Sequence, residues 1–130
     1  MSVTVGIKGY AEEMVTDQNT AASACSGALP VFGTPFMCAL MEKASWTSIA
    51  PYLNEGESTV GTKLNISHLS ATPVGAKVWA ESEVTLVDGK RLELKVAAYD
   101  QKGLIGEGTH ERFIITNDRF LAKAARKLEG

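Results

Sequence analysis

The chain has 130 residues, of which 45% are apolar and 22% charged, and its formal net charge is −2. These values are typical of one packed domain over residues 1–130, and they exclude a disordered chain and a protein that binds nucleic acid through overall basicity. No apolar stretch approaches the roughly 20 residues that cross a bilayer, and no secretory segment opens the chain. Two cysteines, Cys25 and Cys38, are too few for a zinc cluster or a disulfide framework. We therefore expect a cytoplasmic protein without metal, membrane or nucleic-acid partners.

The first half of the chain predicts a strand, a loop and a helix. Apolar residues alternate loosely within 3–15, which indicates a strand, and the small polar residues of 17–30 indicate a loop with room for one or two helical turns. Thr34 followed by Pro35 predicts a helix with Thr34 as its N-cap and proline as its first residue, ending at Pro51. Apolar side chains lie nearly all round this helix, so we expect other elements to enclose it.

The second half predicts four long antiparallel strands and a closing helix. A period of two begins at Ser58 and places alternate residues on one face: Val60, Thr62, Leu64, Ile66 and His68. Further strands are predicted over 77–87, 91–99 and 104–115. Asp88-Gly89 is a tight-hairpin signal, and Asn117 is placed to cap a helix over 118–128.

This order of elements predicts an α+β fold. One enclosed helix covers only one face of an antiparallel sheet, and a sheet that curls around the helix is the economical arrangement. That is the hotdog architecture in outline: a curled antiparallel sheet wrapped around one long central helix, with an added C-terminal helix. Pairing two such sheets edge to edge removes an exposed edge strand, so we expect a homodimer, with a tetramer left open.

The predicted helix carries two candidate functional residues. Glu42 is the first charge after seven apolar residues, and an isolated buried carboxylate is costly. It is therefore either a general base or nucleophile, or a residue on an exposed flank beside Lys43. Thr34, about two turns earlier, either caps the helix or lines one groove with Glu42. The free backbone N–H groups beside Thr34 also suit an oxyanion or a carbonyl oxygen.

The predicted strands carry the other candidates. His68 ends the first long strand, where it is either an acid–base partner of the carboxylate or a surface residue. His110 and Arg112 share a face of the last strand; the arginine either binds a carboxylate or phosphate, or pairs with acidic residues across a solvated face. Gly61, inside a strand pattern, indicates either close backbone approach to a ligand or a bulge.

Together these residues resemble a known family, the fluoroacetyl-CoA thioesterases of the hotdog fold. The resemblance rests on these segments: Val31-Phe32-Gly33-Thr34, Phe36 to Glu42, Ile49 to Leu53, Gly61-Thr62, Ser67-His68, Ala71-Thr72-Pro73 with Gly75, and Gly108 to Arg112. It spans residues 31 to 116 without gaps and keeps every spacing, which makes it far more specific than any single motif.

The resemblance implies hydrolysis of acyl-CoA thioesters at a dimer interface, with no cofactor beyond the CoA of the substrate itself. It implies that Glu42 attacks the thioester or activates water, that His68 supports proton transfer and that Thr34 orients these groups. It further implies that the backbone N–H of Gly61 holds the thioester carbonyl and that Arg112 lies at the acyl site.

One segment departs from the family pattern. The fluoroacetyl-specific enzyme has phenylalanines in the loop before the helix, and they form a hydrophobic lid, whereas residues 23–28 here are Ser-Ala-Cys-Ser-Gly-Ala. Small side chains do not close the same dry gate. Lys43 also replaces a familiar aromatic residue. We therefore expect the chemistry of the family without strong preference for a fluorinated substrate.

Two other functions fit the same fold. A non-catalytic acyl-CoA-binding or sensor protein is one, but the complete set of Thr34, Glu42 and His68 argues against it. A hotdog hydratase is the other, and it would need an Asp/His pair on a dedicated helix, which the sequence does not have.

Overall fold

The computed structural model describes residues 2–129, which form five strands and two helices. In chain order they are β1 (Lys8–Met14), α1 (Thr34–Ile49), β2 (Glu57–His68), β3 (Lys77–Asp88), β4 (Arg91–Asp100), β5 (Gly103–Thr116) and α2 (Asn117–Ala125). A 3₁₀ turn follows each helix, at Ala50–Tyr52 and Arg126–Leu128. The predicted order of elements and the α+β fold are confirmed. The alternating residues of 3–7 precede β1, which is shorter than the predicted strand.

All five strands belong to one antiparallel sheet in the order β1-β3-β4-β5-β2. The neighbours β3, β4 and β5 are joined by short turns, whereas β1 and β2 lie at the two edges. Helix α1 packs across one face of the sheet, chiefly against β1 and β3. No helix among the described residues is long and apolar enough to cross a bilayer.

The core lies between α1 and the inner face of the sheet. Its larger cluster combines Met37, Leu40 and Met41 of the helix with alternate residues of the central strands, such as Val78 and Val96. A smaller cluster at the C-terminal end of the helix contains Ile49, Val84, Leu92 and Leu94. Alternate burial along β3 and β4 is what a sheet with one covered face requires.

Helix α1 is buried on one side only, so the prediction of an enclosed helix is wrong for the single chain. Met41 and Ala44 have no exposed surface, but Trp46 is 47% exposed and Lys43 faces solvent. The reason is geometric: the sheet of one chain curls over one side of the helix and leaves the other side open.

The predicted N-cap of α1 is also wrong. Gly33 is the N-cap, with φ −79° and ψ 140°, and no side chain caps the helix. Thr34 is the first helical residue and Pro35 the second. The Thr34 hydroxyl is engaged by His68 instead, which a local capping pattern does not reveal. Helix α2 differs in the same way, because Thr116 rather than Asn117 precedes its first residue.

A bulge in β2 changes which residues share a face. The register with β5 shifts between Gly61 and Lys63. Beyond the bulge, Leu64 and Ile66 pack against the core as predicted. Before it the alternation is reversed, so the hydroxyl of Thr62 donates to the Glu111 carboxylate at 2.8 Å on the outer face. The prediction of a single face from position 60 to position 68 is therefore wrong, because one extra residue inverts the alternation.

Candidate active site

Thr34 and His68 form the first group of the site. Thr34 begins α1 and His68 ends β2, and Thr34 Oγ1 and His68 Nδ1 share a hydrogen bond of 2.7 Å. The other ring nitrogen, Nε2, is buried and has no hydrogen-bond partner among the described residues. Burial lowers the pKa of His68 below its ordinary value of 6.5, and a backbone contact with Ser70 partly opposes this shift. The imidazole is therefore neutral near pH 7 and has a free nitrogen for proton transfer.

A cavity of about 300 Å³ lies beside this pair. The loop before α1 contributes Ala21 and Ser26 to its wall, and the segment that enters the helix contributes Val31 and Phe32. Phe32 supplies a phenyl ring to the wall but belongs to the core, with 1% of its surface exposed. The wall supplied by the loop is thus made of small side chains, in agreement with the composition of residues 23–28.

Glu42, Arg112 and Gly61 form the second group. Arg112 Nη1 lies 3.6 Å from Glu42 Oε2, with the arginine side chain 7% exposed and the glutamate 42% exposed. Glu42 is therefore half open to solvent yet paired with a buried cation. A Cβ atom on Gly61 would lie 2.7 Å from Glu42 Oε2, so only a glycine lets the β2 backbone approach the carboxylate this closely. Gly61 thus combines two features: it lies at the bulge in β2, and it permits the close approach of the backbone to Glu42.

Three hydrogen bonds, in addition to the ion pair with Glu42, hold the Arg112 guanidinium in place. Its Nε donates to Thr59 Oγ1 at 2.8 Å, its Nη2 to the Thr59 carbonyl at 2.9 Å, and its Nη1 to His110 Nε2 at 3.1 Å. The His110 Nδ1–H donates to the Lys63 carbonyl at 2.8 Å. Because arginine only donates, His110 must be the neutral tautomer protonated at Nδ1. Burial chiefly, and the Arg112 charge next, lower the pKa of His110.

The alternative in which Arg112 pairs across a solvated face is wrong, because its side chain lies on the inner face. On the outer face, the residue that pairs with acidic neighbours is Arg91, whose Nη1 contacts Glu93 at 2.9 Å and Glu111 at 3.1 Å.

The structure does not join the two groups within one chain. Thr34 and Glu42 are eight residues apart on α1, which separates their Cα atoms by about 12 Å. His68 ends β2 and Gly61 lies seven residues before it, about 23 Å away along an extended strand. No hydrogen bond or ion pair between side chains of residues 2–129 connects one group with the other.

Sequence reasoning missed Thr59, the residue that receives two hydrogen bonds from Arg112. The sequence pattern could have indicated Thr59, because Thr59 and Gly61 are two residues apart on a strand and therefore lie on one face. It also assigned His110 to the face of Arg112 without giving it a role. The structural part played by Thr72 was also missed. Its buried hydroxyl donates to the buried Asp100 carboxylate at 2.7 Å, and its backbone carbonyl accepts from the Phe32 N–H, which ties the entry of α1 to the turn after β2.

The residues of the site carry no evident metal-binding arrangement. Within residues 2–129, no three His, Cys, Asp or Glu side chains come close enough together to hold a metal ion.

Comparison with solved structures defines the class of protein. The chain superposes on a fluoroacetyl-CoA thioesterase with a TM-score of 0.91 and 36% sequence identity, covering 98% of each chain. It superposes on a thioesterase superfamily member from Thermus thermophilus with a TM-score of 0.90 and 30% identity, covering 98% of this chain and 94% of that one. The fold is that of a hotdog thioesterase, as predicted.

Sequence comparison defines the family. The family described as fluoroacetyl-CoA-specific thioesterase matches residues 15–118. The fluoroacetyl-CoA thioesterase of Streptantibioticus cattleyicolor is 44% identical over 97 residues, which cover 75% of this chain and 70% of that protein. The chain belongs to the fluoroacetyl-CoA-specific thioesterase family, and it is a hydrolase of acyl-CoA thioesters. The predicted resemblance is confirmed.

Proposed function

We propose that the protein is a homodimer that hydrolyses small acyl-CoA thioesters to the free acid and CoA. In each active site, Glu42, Gly61 and Arg112 of one protomer act together with Thr34 and His68 of the other. The observation that carries the proposal is the Glu42 carboxylate, half exposed and 3.6 Å from a buried guanidinium, beside a strand backbone that has no side chain in the way.

Glu42 is the reactive group in this proposal. Its carboxylate either attacks the thioester carbon, which forms a mixed anhydride and expels the CoA thiolate, or takes a proton from the water that attacks. Arg112 orients the carboxylate in both cases. The N–H of Gly61 donates to the thioester oxygen as negative charge develops on it. The geometry fits both routes, because each needs only the carboxylate beside the carbonyl carbon.

His68 and Thr34 serve the proton transfers. A neutral imidazole with a free nitrogen accepts a proton from water or passes one to the leaving thiolate. The 2.7 Å hydrogen bond between Thr34 Oγ1 and the other nitrogen, Nδ1, holds the ring in one orientation. No metal or organic cofactor has a part in this scheme.

The dimer follows from the separation of the two groups and from the edge position of β2. Antiparallel pairing of β2 with the same strand of a second copy brings the His68 end of one strand toward the Gly61 half of the other. The exposed side of α1, which carries Trp46 and the solvent-exposed part of the Glu42 side chain, would face the partner. One thioester would then contact both groups, which lie too far apart within a chain.

The substrate is proposed to be a small acyl-CoA without selection for fluorine. A single small substituent changes binding by about 1–3 kcal/mol even in a tight pocket, and the small residues of the loop do not make the cavity tight. We expect acetyl-, fluoroacetyl- and butyryl-CoA to be hydrolysed with similar kcat/KM, measured as release of free thiol. A preference for fluoroacetyl-CoA above about 10⁴-fold would contradict this part of the proposal.

The catalytic part is tested with Glu42→Gln, which keeps the shape of the side chain and removes its charge. We expect kcat to fall at least about 100-fold while thermal unfolding stays close to that of the wild type. Activity within threefold of the wild type would return Glu42 to a surface role. If the wild type binds acyl-CoA and releases no thiol, the acyl-CoA sensor becomes the better description.

A further inference from the structure

His110 is a buried titratable residue that the proposed mechanism does not use. It lies on β5 with 2% of its surface exposed, and both of its ring nitrogens are hydrogen-bonded. We propose that His110 is a positioning residue: the neutral imidazole holds the Arg112 guanidinium against Glu42, and protonation of the ring releases the guanidinium and lowers activity. This inference rests on the proposed function and adds a pH-dependent step to it.

The hydrogen bonds of His110 fix which nitrogen carries the proton. Nδ1 lies 2.8 Å from the Lys63 carbonyl oxygen, which only accepts, so Nδ1 is protonated. Nε2 lies 3.1 Å from Arg112 Nη1, which only donates, so Nε2 is unprotonated. The neutral ring therefore satisfies both partners. A second proton would have to bind Nε2, where it would point at an N–H of a guanidinium that is always charged.

The hydrogen bond to His110 decides the direction of Arg112 Nη1. Thr59 accepts from Nε at 2.8 Å and from Nη2 at 2.9 Å, so it holds the other two nitrogens of the guanidinium. Nη1 carries two hydrogens, of which His110 accepts one and leaves the other for Glu42 Oε2, 3.6 Å away. Without this acceptor, the position of Nη1 would depend on an ion pair with a half-exposed carboxylate, which is a weak constraint.

The same three side chains converge on the backbone of Gly61. A Cβ atom there would lie 2.7 Å from Glu42 Oε2, 3.2 Å from His110 Cε1 and 3.3 Å from Arg112 Nη1. The imidazole thus shares one small space with the carboxylate and the guanidinium, beside the N–H to which the proposed function assigns the thioester oxygen. A displacement of about 1 Å in such a group can cost about 100-fold in rate.

The surroundings of His110 favour the neutral ring near pH 7. Among residues 2–129, the charged groups that face the ring are Arg112 of its own strand and Glu42 of α1. Its neighbours across the sheet, Leu64 of β2 and Leu94 of β4, are apolar. The other charged side chains of this region lie on the outer face of the sheet: Lys63, Glu93 and Glu111. Burial is the main reason why the pKa of His110 is below 6.5.

The test compares His110→Gln with His110→Leu, with kcat measured from pH 7.5 downward over the range in which each protein is folded. Glutamine has an oxygen that accepts from Arg112 and no titrating group, whereas leucine has no acceptor. At pH 7.5 we expect kcat within about threefold of the wild type for His110→Gln and at least about tenfold lower for His110→Leu. His68 titrates in both the wild type and His110→Gln, so the wild-type kcat should fall through one more ionisation.

Thr59→Val is the matched control, because it removes one hydrogen bond to Arg112 and leaves His110 able to titrate. It should lower kcat and keep the shape of the wild-type pH profile. The inference is overturned if His110→Leu keeps kcat within threefold of the wild type, or if the pH profile of His110→Gln has the shape of the wild-type profile. Should His110→Leu fail to fold, the comparison of these two profiles decides.

Nuclear magnetic resonance tests the contact without turnover, so that a failure of the proposed function is distinguishable. The Nε–H of the buried Arg112 donates to Thr59, so its exchange with water should be slow. At pH 7.5 we expect this exchange to be at least about tenfold faster in His110→Leu and within threefold of the wild type in His110→Gln. Equal exchange in all three proteins would overturn the inference. If exchange responds as expected and Glu42→Gln keeps its activity, the proposed function fails while the positioning of Arg112 by His110 is supported.

Discussion

The second group of the site depends on a single backbone approach, that of Gly61 to the Glu42 carboxylate. A methyl group at position 61 would lie 2.7 Å from Glu42 Oε2, 3.2 Å from His110 Cε1 and 3.3 Å from Arg112 Nη1. The one contact shorter than 3.0 Å is with the end of the half-exposed Glu42 side chain, which moves more easily than backbone. An added methyl group should therefore disturb the geometry of the site more than the stability of the fold.

We predict that Gly61→Ala lowers kcat at least about tenfold, because it displaces the carboxylate from its position beside the backbone N–H. The melting temperature should stay within a few degrees of the wild type. Steady-state kinetics and thermal unfolding of the same preparation check both statements. Wild-type kcat in this variant would show that the close approach has no catalytic importance.

The burial of His110 leads to a prediction about how the stability of the protein depends on pH. Its pKa is below the ordinary 6.5 in the folded protein, chiefly because of burial and to a smaller extent because of the Arg112 charge, while the hydrogen bond to the Lys63 carbonyl and the Glu42 charge oppose the shift. As pH falls below about 6.5 the unfolded chain takes up the proton first, so this contribution to stability is complete above 6.5 and is lost at lower pH. We expect the fall in melting temperature from pH 7.5 to about pH 5.5 to be smaller in His110→Gln than in the wild type. An identical pH dependence in the two proteins would contradict this assignment.

At the scale of the elements, the contact of α1 with β1 depends on Gly9. A Cβ atom at this position would collide with the Ala44 carbonyl oxygen of the helix and lie 2.8 Å from Ser48 Cβ. A backbone carbonyl does not move aside as a flexible side chain does, so the helix as a whole would have to shift.

We predict that Gly9→Ala lowers the free energy of unfolding by about 1–3 kcal/mol, the usual cost of overpacking a close contact. Gly27→Ala is the control, since its new methyl group meets only Ala21 Cβ at an ordinary 3.4 Å. The control should change stability by less than about 0.5 kcal/mol. Urea unfolding of both variants measures the difference, and equal values would show that α1 shifts without cost.

At the scale of the whole molecule, the proposed sharing of residues between protomers has a direct test. Homodimers of Glu42→Gln and of His68→Ala are each expected to have little activity, because every shared site then lacks one of the two residues. In a mixed dimer one site carries both changes, whereas the other keeps the native Glu42 of one protomer and the native His68 of its partner.

We predict that unfolding and refolding an equal mixture of the two variants restores about a quarter of wild-type activity, the share of intact sites for random pairing in a twofold dimer. Refolded wild type and each variant refolded alone are the controls. If all five residues act within one chain, the mixture stays as inactive as the variants. A mass of 14 kDa in light scattering at micromolar concentration would argue against the dimer itself.

The sequence by itself determined the order of the elements, the α+β hotdog architecture and the family. Period-two patterns and turn residues such as Asp88-Gly89 act over a few positions, so they can be interpreted locally. The motifs from Val31 to Arg112 keep the spacing of the family. That spacing identified which residues belong to the site, but not how they are arranged in space.

Only the tertiary structure decided how those residues are arranged. The bulge at Gly61 reverses part of β2 where it pairs with β5, and Thr59, 53 residues away in sequence, fixes Arg112. The hydroxyl of Thr34 bonds His68 rather than its own helix because a partner 34 residues away in sequence lies 2.7 Å from it. In each case a contact distant in sequence outweighs the local preference, and its free energy depends on folded coordinates that a local pattern does not contain.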